Sequence, residues 1–219
     1  MDKEKEYILY VLPLIVFVIN RIPYIGKYLR VVNTLIHESG HAIAALITKG
    51  EVYTVELFSD TSGTAITQKK GKFSRFLISI IGYPFSSAVA YFLFYLIKSD
   101  KCQVVLYILA CFALLNLMFY VRNAYGIFWL ITFTAIIFLI KFCSGEYLQY
   151  AFTVWLSGIM LFESLYSSVE LVIIAVKNKK SSGDAYNLQL ITGIPSILWA
   201  LFFTVQAGYI IYLTVCLYF

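Results

Sequence analysis

The chain has 219 residues, of which 61% are hydrophobic and only 13% charged, with a formal net charge of +5 at pH 7. A soluble domain carries about a quarter charged residues, so the composition excludes an ordinary soluble globule and, with it, a basic domain that would bind nucleic acid. Apolar runs near the ~20 residues needed to cross a bilayer point to an all-α polytopic membrane protein of about six to seven transmembrane helices, and their unbroken length argues against the short alternating strands of a membrane β-barrel.

In chain order, apolar length and loop charge predict segments at 7–20, 31–48, 74–97, 103–121, 124–141, 147–176 and 185–218. The first, in "MDKEKEYILYVLPLIVFVIN", has no small-residue cleavage site before Arg21 and reads as a retained helix. The second contains "LIHESGHAIAAL", from Leu35 to Leu46. Residues 49–73 then form a non-helical loop, in which "EVYTVELF" and "TAITQ" have strand character and "SDTSG" has turn chemistry. This predicts a short β-hairpin at the cytoplasmic surface between the second and third helices. In the third segment, Gly82-Tyr83-Pro84 predicts a kink, because proline removes a backbone donor.

Asn116 lies inside the fourth segment and reads as a helix–helix hydrogen-bonding residue, and Arg122-Asn123 closes that segment. The sixth segment exceeds one membrane thickness and is either one long helix or two. In the seventh, Pro195 restarts the final helix. Cys102, Cys111, Cys143 and Cys216 form no CxxC pair and read as small apolar helix residues. The whole chain, 1–219, reads as one integral-membrane domain.

Eleven lysines and arginines fall on one side of this topology and six on the other. The positive-inside rule then places the N-terminus in the cytoplasm of a multi-pass cell-membrane protein. His41 lies eight residues before Lys49, or about 12 Å along a helix, which puts it near the cytoplasmic side.

His37 and His41 are the only histidines in the chain. At i and i+4 they share one helical face, so two imidazoles can grip one metal ion while Glu38 polarises a water. This is the mechanical content of the H-E-x-x-H pattern. Zinc suits two imidazoles, a carboxylate and an open position. A purely structural hydrogen-bonded cluster is the alternative, but ionisable groups inside a membrane are costly unless partnered. Four residues compete to be the third ligand: Asp184, which could equally be a helix N-cap, then Glu163, Glu170 and Glu146. Chemistry alone ranks Asp184 only slightly above Glu163.

At these residues the sequence resembles the site-2 protease type of intramembrane zinc metalloproteases, particularly its compact bacterial branch. The resemblance is carried by "TLIHESGHAIAALITKG" and "GDAYNLQLITGIPSILWALFF", with weaker support from "EVYTVELFSDTSGTAIT", "IGYPFSSAVAYF" and "VRNAYGIFWL". It implies that His37, His41 and Asp184 bind zinc, that Glu38 is the catalytic base, and that the substrate is a membrane-anchored protein or peptide cut in or near its transmembrane segment. It also implies that an edge strand of the hairpin at about 51–68 pairs with the unwound substrate. One departure stands out: better-studied members hold the aspartate in an Asn-Pro-x-Asp-Gly or Leu-Asp-Gly setting, whereas here it is Gly-Asp-Ala.

Two other function classes compete with the protease. A non-catalytic membrane scaffold or chaperone with a metal-stabilised core would have no need of Glu38. A metal transporter would need ionisable groups along several spans, and spans three to five offer few.

Overall fold

The structure is a computed structural model, and it describes residue 16 and residues 22–218. Apart from Val16, the apolar segment expected at 7–20 lies outside the described residues. The first described helix, α1, runs over Ile25–Ile47. It ends in a Schellman turn, in which the Gly50 amide donates to Ala45 O (2.8 Å) and the Lys49 amide to Leu46 O (3.0 Å), with Lys49 at φ 57°.

The chain then forms the expected hairpin. β1 (Val52–Leu57) pairs antiparallel with β2 (Gly63–Thr67), with Val55 opposite Ala65 and Leu57 opposite Gly63. Asp60 supplies the turn chemistry: its Oδ1 accepts from the Ser62 amide (3.0 Å) and the Ser62 hydroxyl (2.6 Å).

Six further helices follow: α2 (Gly71–Lys98), α3 (Cys102–Phe119), α4 (Ala124–Cys143), α5 (Glu146–Lys177), α6 (Gly183–Thr192) and α7 (Ser196–Tyr218). Among the described residues, α2, α3, α4, α5 and α7 are long and apolar enough to cross a membrane. Their outward faces are apolar too, as at Phe128, Ile131 and Leu139 on α4 and Leu201, Val205 and Tyr212 on α7. That is what a lipid solvent requires. The chain is a multi-pass membrane protein with a small two-stranded hairpin.

Polar residues are concentrated on α1, which packs inside the bundle against α2, α5 and the hairpin. Its apolar side anchors it through buried Leu35 and Ile36. Hydrogen bonds to other helices help fix its place, among them two: Trp129 Nε1 donates to Tyr28 O (2.7 Å), and Asn116 Nδ2 donates to Ser39 Oγ (2.9 Å). The second is the helix–helix role expected of Asn116.

The sixth predicted segment is a single helix. At 32 residues α5 is about 48 Å long, longer than the ~30 Å hydrocarbon layer. Because it is one span, its end near Lys177 lies at the same end of the bundle as the hairpin and the α3–α4 turn. The basic residues at 49–75, 122 and 177–180 therefore share one end. Pro84 sits inside α2 without interrupting it. The last predicted segment is broken: Gly193, at φ 79°, caps α6 with its amide on Gln189 O (2.8 Å). Pro195 then precedes α7, whose Ser196 amide donates to Gln189 Oε1 (2.9 Å). That break lets α6 lie apart from the axis of α7, and α6 carries Asp184.

Candidate metal centre

Arg30, Asn33, Thr34, His37, Glu38 and His41 recur at three- and four-residue intervals on α1 and form one polar stripe. From Asn33 to His41 the stripe faces a cavity of about 470 Å³ lined also by β2, Tyr83, Ser167, Asp184 and Asn187. At its floor three donor atoms converge. His41 Nε2 lies 3.0 Å from His37 Nε2 and 3.1 Å from Asp184 Oδ2, and His37 Nε2 lies 3.3 Å from the same oxygen. The edges of a tetrahedral zinc site with ligands near 2.0–2.1 Å are about 3.3 Å long, so the triangle has the size a zinc ion needs.

Two further observations fit a cation. His41 Nδ1 is 2.6 Å from the Ile78 carbonyl, so its proton is placed there and its Nε2 lone pair turns toward the triad, the second-shell arrangement of a metal-binding imidazole. Gly82, on α2, keeps the space in front of the triad clear. A Cβ at that position would lie 2.6 Å from His37 Nε2 and 2.7 Å from His41 Nε2. Asp184 adds one anionic oxygen donor to the two neutral imidazoles.

Glu38 points to the hairpin side of the stripe and is 5% exposed. The Ala65 amide of β2 lies on the side of its carboxylate. Such closeness requires Gly63, where a Cβ would fall 2.9 Å from Glu38 Oε1 and 2.5 Å from Thr34 Cγ2. Thr34 also ties the hairpin to α1 by donating to Thr61 O (2.7 Å).

Of the four candidates for a third ligand, the structure places only Asp184 beside the two histidines. It lies in the first turn of α6, and no side-chain cap bond supports the N-cap alternative. Glu163 is buried on α5, its Oε2 3.7 Å from Arg30 Nη1. Glu170 and Glu146 are exposed, and Glu146 sits at the far end of the bundle.

Two features escaped the sequence reading. Gly82-Tyr83 forms the wall opposite α1, with the Tyr83 ring edge-on to His37 (4.6 Å) and stacked on Phe203 (4.8 Å). The signal is the Gly-Tyr-Pro motif, which the sequence alone presents as a kink. Asn123 pins the hairpin: its Nδ2 donates to Leu57 O (2.5 Å) and its Oδ1 accepts from the Leu57 amide (3.2 Å). Gly126 leaves it the room, since a Cβ there would meet Asn123 Oδ1 at 2.5 Å.

The peptidase M50B-like family model matches residues 7–214 of the chain. No curated protein and no solved structure matches it.

Proposed function

This chain belongs to the site-2 protease family, whose members are zinc metalloproteases, and from that premise we propose that it is a zinc-dependent intramembrane endopeptidase. It cuts a membrane-anchored protein in or near a transmembrane segment. The observation that carries the reading is the convergence of His37, His41 and Asp184 with Glu38 beside them, inside a polar cavity of a membrane domain.

His37, His41 and Asp184 would hold the zinc, whose Lewis acidity makes a water acidic enough to lose a proton near neutral pH. Glu38 takes that proton and later delivers it to the leaving amine. The Ala65 amide lies on the side of the Glu38 carboxylate, and the walls of α2, α5 and α6 limit the access of bulk water. The positive-inside bias puts this end of the bundle at the cytoplasmic face.

The hairpin supplies the surface for an extended substrate. Val55 and Leu57 turn their backbone groups away from β2, toward Tyr120 and Asn123, with the Val55 amide on Tyr120 O at 3.0 Å. Their partners Ala65 and Gly63 therefore face the other way. Thr67 follows in the same alternation. The outer edge of β1 is thus occupied, and β2 is the edge that borders the cavity. A substrate carbonyl must leave its helix to be attacked, and a strand edge offers the replacement hydrogen bonds.

In proteoliposomes the chain is expected to cut a single-span reporter within or beside its apolar stretch. Thr67→Pro removes an edge amide that Glu38 does not use, and it should slow that cleavage by about tenfold, one lost hydrogen bond's worth, with the zinc content unchanged. Failure to cut any reporter would overturn the hydrolase. Full-rate cleavage by Thr67→Pro would keep the hydrolase and overturn the strand-pairing role of β2.

A further inference from the structure

We propose that Asn33 is a substrate-binding residue, whose carboxamide hydrogen-bonds the peptide backbone on the side facing away from β2. The inference rests on the endopeptidase reading and assigns that site a second backbone contact.

Asn33 lies one helical turn before His37 on the same stripe, about 6 Å along α1, and it lines the cavity. It is 6% exposed, and its Oδ1 is buried without a hydrogen-bond partner. Within the described residues its Nδ2 donates to no protein group either. Arg30 Nε, Asn116 Oδ1 and Thr67 Oγ1 are also buried without a partner, but Arg30 and Asn116 each keep another contact through the rest of the side chain. Asn116 spends its amide on Ser39 and Phe112 O. Arg30, one turn before Asn33, faces Glu163, and Ser167 across the cavity donates to Glu163 O (2.7 Å). A buried carboxamide left without a partner inside a membrane domain calls for a ligand or a water.

The substrate presents the complementary need. An extended segment paired with β2 satisfies the carbonyls and amides along one of its edges. The groups on its other edge would be left bare in a low-dielectric site, where each unpaired peptide group is costly. A carboxamide offers an acceptor and a donor in one plane, matching the N–H and C=O of a secondary amide. Thr34 and Glu38 lean toward the hairpin, while Asn33 and His37 lie on the adjoining side of the stripe. Asn33 is therefore placed to meet the edge of the substrate that β2 leaves free.

The test compares two metal-binding compounds on the full-length, zinc-loaded chain in detergent: acetohydroxamic acid, and a short peptide hydroxamate that adds a backbone along the cleft. Asn33→Leu should weaken the peptide hydroxamate about tenfold, the loss of one hydrogen bond with its partner left bare, and leave acetohydroxamic acid within about twofold. Methylating the backbone amides of the peptide compound one at a time should find a position that costs affinity in the wild type and nothing further in Asn33→Leu. Asn33→Ser, at normal zinc content, serves if the leucine variant does not fold. Unchanged affinity for both compounds would overturn the proposal and leave Asn33 as a water site. An equal loss for both would overturn it as well, since the variant would then act on the metal site. Failure of the wild type to bind either compound would bring down the metalloprotease reading, and this inference with it.

Discussion

Glu38→Gln is expected to lower peptide cleavage by a factor between about a hundred and ten thousand, the range for loss of a general base, while the chain keeps its zinc. The two outcomes belong together. Glutamine has the shape of glutamate, and its carbonyl can still face the Ala65 amide that now lies on the side of the carboxylate, so the hairpin and α1 should keep their places. His37, His41 and Asp184, which form the donor triangle without Glu38, are untouched. Only proton transfer is lost. A scaffold with a metal-stabilised core would behave oppositely, because nothing in such a role needs a carboxylate at 38. Full function in the variant would favour the scaffold. Loss of zinc together with activity would show Glu38 to be part of the metal site.

Gly82→Ala is expected to weaken zinc binding by about tenfold to a hundredfold, the range seen when the surroundings of a metal site are disturbed. The added methyl would lie 2.5 to 2.7 Å from atoms of both imidazoles, well inside van der Waals contact, and one or both rings must turn away from Asp184. The expected sign on stability makes the result distinctive. Gly82 lies inside α2, where alanine is favoured over glycine by about 1 kcal/mol, and in the metal-free chain the rings can move without giving up a ligand. The metal-free variant should therefore unfold no earlier than the metal-free wild type while holding zinc less well. Titration with a chelator of known affinity, run beside thermal unfolding of both metal-free proteins, checks the pair. Normal zinc affinity in Gly82→Ala would mean that this space lies outside the metal site.

What could be read from the sequence follows the distance over which its causes act. The bilayer imposes apolar length segment by segment, so the spans at 74–97, 103–121 and 124–141 were legible from their own residues, and α2, α3 and α4 coincide with them closely. The histidine pair was legible because four residues of helix bring two side chains onto one face. The hairpin was legible from the turn chemistry around Asp60. The proximity of Asp184 was different, because it depends on α5 being one helix and on the break at Gly193–Pro195 that frees α6. On chemistry alone Glu163 stood nearly level with it, and nothing local reveals that Glu163 faces Arg30 from another helix. The free edge of the sheet could not be read either, since it is decided by Asn123 reaching Leu57 across 66 residues. The Gly-Tyr-Pro motif was legible as backbone and illegible as surface. Its glycine matters for the side chain it lacks, and only the packing of α2 on α1 shows what that side chain would strike.

The most direct test of the central claim is the zinc content of the detergent-purified chain, prepared without chelator, for the wild type, Asp184→Ala and Glu163→Ala. The expected result is about one zinc per wild-type chain, lost in Asp184→Ala and retained in Glu163→Ala. The Glu163 variant should be less stable, because it leaves Arg30 facing a buried gap. Zinc retained in Asp184→Ala and lost in Glu163→Ala would contradict the assigned site, and no zinc in the wild type would contradict the metalloprotease itself.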